Sequence, residues 1–182
     1  MDMRSTRRIV TGHDANGKAV VLFDDTVTAA ERGANGVTLF WATSEFPVDT
    51  AGAADRAQTP VGVPPPRNGT VFRVVDFAPA SPHGAPVDHI AILRAMGIDP
   101  ASQGYARHAN THRTKTIDYA IVLDGEIDML LDDGEIHVRA GDVLVQQATN
   151  HAWVNNGTKP CRIAFILIDA ATPLAWEKNW KP

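Results

Sequence analysis

The C-terminal half of the chain alternates short apolar segments with turn-forming residues, and this alternation limits the possible folds more than any other feature. Turn pairs such as Asp124-Gly125 and Asn156-Gly157 separate the segments. Short strands at this spacing predict an all-β sandwich or barrel. Six segments are expected to be strands: Tyr119–Leu123, Glu126–Leu131, Glu135–Arg139, Asp142–Gln147, His151–Asn155 and Arg162–Asp169.

The N-terminal part is expected to extend this β-structure. Asn16-Gly17 offers the tight turn of a hairpin. Between Pro47 and Gly69 the chain has five prolines and three glycines, which predicts a long surface loop. One short helix is expected at Asp88–Met96, with Asp88 as its N-cap and Gly97 just after its end. Four strands are predicted in this part: Arg8–Thr11, Lys18–Phe23, Val37–Ala42 and Thr70–Phe77.

Length, charge and cysteine content exclude several classes of protein. With 182 residues, the chain is long enough for one domain with a core and short for two. A net charge of −4 without a basic run argues against nucleic acid or an anionic membrane as partner. The single cysteine, Cys161, excludes an intrachain disulfide. Because no apolar stretch is long enough for a signal or a membrane span, we expect a cytoplasmic protein.

Two short segments gather side chains that suit chemistry. Alternate residues of a strand share a face. If extended, the first segment would therefore point His108, Asn110 and His112 to one side. In the second segment, His151 and Trp153 would share a face. A barrel that collects imidazoles and a carboxylate from different strands can bind a transition metal.

The spacing of these residues resembles the first sequence motif of the cupin family. That motif runs G-(x)5-H-x-H-(x)3–4-E-(x)6-G. This chain has Gly104, then Asn110 and His112, then Asp118 after five residues, and Gly125 after six more. An amide thus replaces the first histidine, an aspartate replaces the glutamate, and the gap before the carboxylate is one residue longer.

The second cupin motif, G-(x)5-P-x-G-x-x-H-(x)3-N, also has a counterpart. It begins near Gly141 and contains His151, with Asn155 four positions later. Gln146 and Ala148 stand where the family has proline and glycine.

The resemblance covers residues 104–169. It implies a cupin jelly-roll barrel or sandwich, preceded by an N-terminal extension of strands, a loop and a helix over residues 1–103. A tail with Trp176 and Trp180 follows over residues 170–182 and is expected to pack on the barrel or on a partner.

The resemblance also implies a ligand set, and three arrangements remain open. In the first, His112, His151 and Asp118 hold a divalent metal, with Asn110 nearby. In the second, His108 supplies a third imidazole. In the third, no metal binds and the same residues act as acids, bases or ligand-orienting groups. Iron, manganese, nickel and zinc all suit imidazole and carboxylate ligands.

Three functions follow from these arrangements. The first is a metal-dependent enzyme, such as a dioxygenase, decarboxylase, isomerase or lyase, that acts on a small organic molecule in the barrel. The second is a metal-free enzyme of the dehydratase type that transfers protons. The third is a small-molecule binding module without catalysis. His112, His151 and Asp118 are the predicted catalytic residues, and Asn110, His108, Trp153 and Gln146 are predicted to line the pocket. Small cupins often dimerise, so a homodimer that packs through its N-terminal strands is expected.

Overall fold

A computed structural model describes residues 4–81 and 88–176 of the chain. Within these ranges it has eleven strands, one α-helix and three short 3-10 helices at Arg56–Gln58, Pro100–Ser102 and Leu174–Trp176. The strands are β1 Ser5–His13, β2 Ala19–Thr28, β3 Ala30–Arg32, β4 Asn35–Thr43, β5 Thr70–Phe77, β6 Thr116–Asp124, β7 Glu126–Leu130, β8 Glu135–Arg139, β9 Val143–Gln147, β10 Ala152–Val154 and β11 Cys161–Asp169. The α-helix, α1, is His89–Ala95.

Two antiparallel sheets enclose the core. The larger has six strands in the order β3-β4-β5-β11-β6-β9, and the smaller has three in the order β10-β7-β8. The buried core draws on both sheets: Ala120, Val122, Ile127, Met129, Val138, Trp153, Cys161 and Ile163. The predicted all-β sandwich or barrel is confirmed. The predicted strands are present, and the sequence did not predict the short strand β3.

The pleat of β6 decides which side chains reach the interior. Asp118, Ala120 and Val122 are buried, whereas Tyr119 and Ile121 between them are 42% and 38% exposed on the outer face. Successive side chains of a strand point to opposite faces. The inner face of β6 therefore carries a carboxyl group directly into an otherwise apolar core.

The N-terminal hairpin β1–β2 packs against the outer face of the six-stranded sheet of its own chain. Val27 of the hairpin contacts a buried cluster of Phe40, Val74 and Ala164. The Arg8 side chain is buried and pairs with Asp25 and Asp55. This hairpin therefore covers part of its own sheet, and the homodimer expected through the N-terminal strands remains a prediction.

The proline-rich loop closes one end of the barrel. It forms no strand and no helix beyond the turn Arg56–Gln58, as its composition predicts. Val61 and Val63 of the loop pack against a buried cluster of Ala42, Val71 and Leu167. The loop is thus part of the wall of the interior and not a surface excursion alone.

The helix and the tail follow the sequence predictions as far as the structure describes them. The Asp88 carboxylate accepts a hydrogen bond from the Ile90 N–H, and Gly97 takes a φ of +72° that ends α1. Trp176 of the tail packs on the barrel, with its indole N–H donating to the Ala148 carbonyl. Trp180 lies outside the described residues. None of the helices in residues 4–81 and 88–176 has the length and apolar character that crossing a bilayer requires.

Candidate active site

The two motif histidines lie opposite each other on neighbouring chain segments. His112 and His151 form an isolated antiparallel bridge, in which each backbone N–H donates to the other residue's carbonyl at 2.9 and 3.0 Å. Their ring centroids are 4.5 Å apart, and both side chains are buried. The two imidazole rings thus lie next to each other, although the two residues are 39 positions apart in the chain.

Both imidazoles are held in the same tautomer. Nδ1 of His112 lies 2.8 Å from the carbonyl oxygen of Asn110, and Nδ1 of His151 lies 3.0 Å from that of Thr149. A carbonyl only accepts, so each Nδ1 carries the proton and each Nε2 of a neutral ring keeps its lone pair. The described residues offer no hydrogen bond to either Nε2. Both lone pairs are therefore available to a ligand.

Burial keeps the two rings neutral. It lowers the pKa of His151 to about 3, and the neighbouring His112 contributes in the same direction. The pKa of His112 is lowered mainly by burial, with smaller contributions from the charges of Arg73 and His89. Neutral imidazole is the form that binds a metal or accepts a proton.

Asp118 is the carboxyl group of the site. Its side chain is only 5% exposed. Oδ2 accepts a hydrogen bond of 3.0 Å from the Gln146 amide, whereas Oδ1 has no partner among the described residues. Burial raises the pKa of Asp118 to about 6, against the opposing effects of the Thr116 hydroxyl and the Arg73 charge. Near neutral pH this group can therefore both hold and release a proton.

Two positions that depart from the cupin motifs contact each other. Asp118 stands in place of the family glutamate and Gln146 in place of the proline, and they are directly opposite each other in the β6–β9 register. A proline has no side-chain donor, so Gln146 is what provides the hydrogen bond to the carboxyl. The third departure is Ala148. It takes a φ of +51°, a conformation that glycine adopts readily, at the position where the motif has glycine.

The segment before His112 does not have the extended form assumed from the sequence. Residues 107–110 form a bend and turn, closed by the Thr111 N–H donating to the His108 carbonyl. The His108 Nδ1 accepts a hydrogen bond from the Asn110 backbone N–H at 3.1 Å. The expected strand face shared by His108, Asn110 and His112 is therefore wrong. Asn110 contributes its backbone carbonyl to His112.

Aromatic rings line the interior beside the histidines. The Trp153 ring, 7% exposed, lies 6.3 Å from the His151 ring and 5.7 Å from the Phe165 ring. Phe77 completes the group, with its ring 6.1 Å from that of Trp153. Trp153 thus belongs both to the core and to the wall next to His151, as its place in the sequence predicts. We call Phe77, Trp153 and Phe165 the aromatic wall.

Sequence reasoning missed one charged residue of the interior, Arg73. Its side chain is 8% exposed, and its guanidinium donates to the carbonyls of Gly62 and Val63 in the proline-rich loop. Burial lowers its pKa to about 10, so it stays charged at neutral pH. The sequence did contain a signal. Arg73 lies between Val71 and Val75 on the same strand face, which is otherwise apolar. Arg73 lies outside the two motifs.

The donor chemistry fits a transition metal through the two histidines. Imidazole nitrogen is a common ligand, and a hydrogen bond from the other ring nitrogen to a carbonyl usually accompanies it. Asp118 does not complete the set in the arrangement described. In residues 4–81 and 88–176, no three His, Cys, Asp or Glu side chains are grouped as a metal site would need. His112 and His151 are therefore the residues that would hold a metal.

A surface cavity of about 300 Å³ is lined by residues of several connecting segments. Arg113 and Trp176 line it, with the guanidinium carbon 4.1 Å from the centre of the indole ring. Thr114 also lines it, and its hydroxyl lies 2.7 Å from that of Thr116. The motif histidines are not among the residues that line this cavity.

Comparison with known proteins identifies the family. The chain is 33% identical over 178 residues to the cupin-domain-containing oxidoreductase virC of Hypocrea virens, which covers 92% of this chain and 77% of that protein. The chain belongs to the cupin family. The cupin domain model matches residues 98–168, which contain both motifs. The phomopsin biosynthesis cluster protein C' of Diaporthe leptostromiformis is 32% identical over 180 residues, covering 93% of this cupin and 81% of that protein.

Among solved structures, an ethanolamine utilization protein Q from Salmonella typhimurium aligns with 94% of this cupin and all of that chain. The TM-score is 0.46 and the identity 9%. The family model and the curated relatives confirm the family resemblance drawn from the motifs. The predicted ligand set remains a prediction.

Proposed function

We propose that this cupin is an enzyme that converts a small organic substrate inside the barrel, with a divalent transition metal held by His112 and His151. The observation that supports the proposal is the hydrogen bonding of the two rings. Each Nδ1–H is fixed on a backbone carbonyl, which leaves two neighbouring Nε2 lone pairs in a buried place. A metal bound there would polarise a substrate oxygen or lower the pKa of a bound water.

Asp118 is proposed as the proton-transferring residue. Its pKa of about 6 is close to the pH at which most enzymes operate, as efficient acid–base catalysis requires. The Gln146 amide fixes Oδ2 and leaves Oδ1 to meet a substrate. The aromatic wall excludes water from the same space, which strengthens every polar interaction made inside it.

The names of the relatives support an oxidation–reduction reaction. Several of them, from Hypocrea virens, Aspergillus ruber and Neurospora crassa, are named cupin-domain-containing oxidoreductases. Of the reaction classes predicted from the sequence, the dioxygenase class agrees with that name. We carry the activity to this cupin as part of the proposal, with iron, manganese, nickel or zinc as candidate metals.

A metal-free acid–base enzyme is the second candidate. It is favoured by the pairing of Asp118 with Gln146 and by the absence of a three-residue donor group in the described parts of the chain. In this case a neutral imidazole would accept a proton while the Asp118 carboxyl donates one. The substrate class would be the same, and the reaction would be a dehydration or an isomerisation.

Metal analysis separates the two candidates. The protein is expressed in medium supplemented with the four metals, and its metal content is measured by mass spectrometry. We expect about one metal ion per chain in the wild type and in His137→Ala, and much less in His112→Ala and His151→Ala. His137 is the matched control, because its side chain is 58% exposed on an outer strand.

Melting with and without chelator provides the second readout. A ligand that prefers the native state stabilises it, so chelator should lower the melting temperature of the wild type and of His137→Ala only. Wild-type protein that purifies without metal, and whose melting chelator does not change, would refute the metal-dependent proposal. The acid–base candidate would then be tested through the activity of Asp118→Asn.

The proposed homodimer would use the outer face of the six-stranded sheet. Apolar side chains with partial or full exposure form a row across four of its strands, and such patches mark interaction sites on otherwise polar surfaces. The row, by strand register, is Phe72–Ile166–Tyr119–Val145, and Ile121 and Val143 extend it on β6 and β9. A second copy presents the same patch, so a two-fold contact would cover both. Val143 and Val145 are 72% and 60% exposed.

A further inference from the structure

Arg73 is a buried cation without a carboxylate in direct contact in the described chain, although the charge of Asp118 acts on it from a distance. Only 8% of its surface is exposed, and no described carboxylate lies within 4 Å of it. Its two observed hydrogen bonds go to the neutral carbonyls of Gly62 and Val63. Burying a charge is costly unless it is paired. Neutral carbonyls account for two of the five N–H donors of a guanidinium and for none of its charge.

The strand register places Arg73 on the same inner face of the six-stranded sheet as Asp118. Arg73 is opposite Phe165, which is opposite Ala120 of β6. The neighbouring row across the same three strands ends at Asp118. Two strand spacings and one row of two residues therefore separate Arg73 from Asp118, roughly 12 Å across the sheet. The Arg73 charge acts on both Asp118 and His112, which agrees with this placement.

We propose that Arg73 binds a carboxylate group of the substrate and thereby orients it toward His112, His151 and Asp118. The inference rests on the proposed function in one respect, namely that the barrel interior is where the substrate binds. A substrate carboxylate would supply the direct ion pair that the described chain does not provide for Arg73. The planar fork of a guanidinium also matches the two oxygens of a carboxylate, so the contact is directional as well as strong.

The other side chains of the barrel interior indicate which kind of substrate carries the carboxylate. Trp153 and Phe165 of the aromatic wall lie between the histidines and the strand that carries Arg73. Flat π-systems pack well against aromatic rings. The substrate class that fits is a small unsaturated or aromatic organic acid, with its anionic end on Arg73 and its reacting carbon near the imidazoles.

The alternative is that Arg73 only anchors the proline-rich loop. A loop anchor needs hydrogen-bond donors but no charge, so Arg73→Gln, which keeps an N–H donor, is the informative variant. Arg162→Gln is the matched control. Arg162 lies on β11 next to Arg73's strand, but on the outer face, where it pairs with Asp76.

The experiment measures binding of benzoate and of its neutral analogue benzamide to full-length protein in chelator, by calorimetry. We expect Arg73→Gln to weaken benzoate binding by at least about tenfold, as loss of a charge-assisted hydrogen bond implies. Benzamide binding should be unchanged. Arg73→Lys should restore part of the benzoate affinity, and Arg162→Gln should match the wild type.

The outcomes separate this inference from the proposed function. Equal benzoate affinity of the wild type and a folded Arg73→Gln overturns the inference, and so does a failure of the wild type to prefer benzoate to benzamide. If Arg73→Gln does not fold, Arg73→Lys decides, because a benzoate affinity equal to the wild type's in a variant without the planar guanidinium would refute the proposed contact. An Arg73-dependent preference for benzoate in a protein that binds no metal would leave the inference standing while the metal-dependent proposal falls.

Discussion

Replacing Asp118 by Asn should stabilise the protein above neutral pH, and the structure gives the size of the effect. Burial raises the pKa of this carboxyl from 3.8 to about 6. One pKa unit corresponds to 1.36 kcal/mol, so the ionised form costs the folded state about 3 kcal/mol. Asparagine keeps the hydrogen bond from Gln146 through its carbonyl oxygen, and its amide nitrogen replaces an oxygen that already has no partner.

The sign follows from linkage. A carboxyl whose folded pKa is raised favours the folded state below its unfolded pKa and loses that contribution as the pH rises through about 6. Asp118→Asn has no such loss. The stability difference between variant and wild type should therefore be small at pH 4 and reach about 3 kcal/mol at pH 8, which corresponds to roughly 6–12 °C in melting temperature for a chain of this size.

Urea unfolding between pH 4 and pH 8, in the presence of chelator, measures this difference directly. Asp133→Asn is the matched control, because it removes a carboxyl that is exposed in the β7–β8 turn. A difference for Asp118→Asn that does not change with pH would refute the argument, as would a wild type that gains on the variant as the pH rises. The same substitution should lower activity, since it removes the proposed proton carrier.

Further predictions concern the backbone, the N-terminal hairpin and the outer face. Arg8→Met should destabilise the fold by about 2 kcal/mol in urea unfolding, because it leaves two aspartates without their buried partner. Gly69→Ala should cost about 3 kcal/mol or prevent folding, since a Cβ there would lie 2.0 Å from the Thr43 carbonyl oxygen. Ala148→Gly should stabilise by about 1 kcal/mol by relieving a positive φ. Val145→Lys should convert a dimer to a monomer in light scattering, whereas a wild type that is already monomeric would refute the proposed interface.

The sequence predicted the part of the site that depends on local pattern. His112 and His151 were predicted because the spacing of the two motifs corresponds to two segments that meet in a β-bridge. This spacing can be recognised in the sequence without knowledge of the packing. The helix from Asp88 was found for a similar reason, because its N-cap and terminal glycine are local signals.

What the sequence did not predict depends on contacts between distant segments. Asp118 and Gln146 were both candidates, but their hydrogen bond follows from the β6–β9 register, which spacing alone does not give. The turn at residues 107–110 depends on the Thr111 hydroxyl accepting from the His108 N–H, and this removed His108 from the expected strand face. Arg73 was not predicted because its burial depends on the proline-rich loop, which contacts it from a distant part of the sequence.

The proline-rich loop and the strands have separate roles in this fold, and this separation affects how cupins of this kind can diversify. The strands hold the histidines and Asp118 in fixed register, whereas Val61 and Val63 form the end wall and Gly62 and Val63 orient Arg73. Substitutions in the proline-rich segment can therefore alter the end wall of the barrel interior without disturbing the sheets. A library restricted to residues 60–66 would sample new substrates while the reacting groups stay in place.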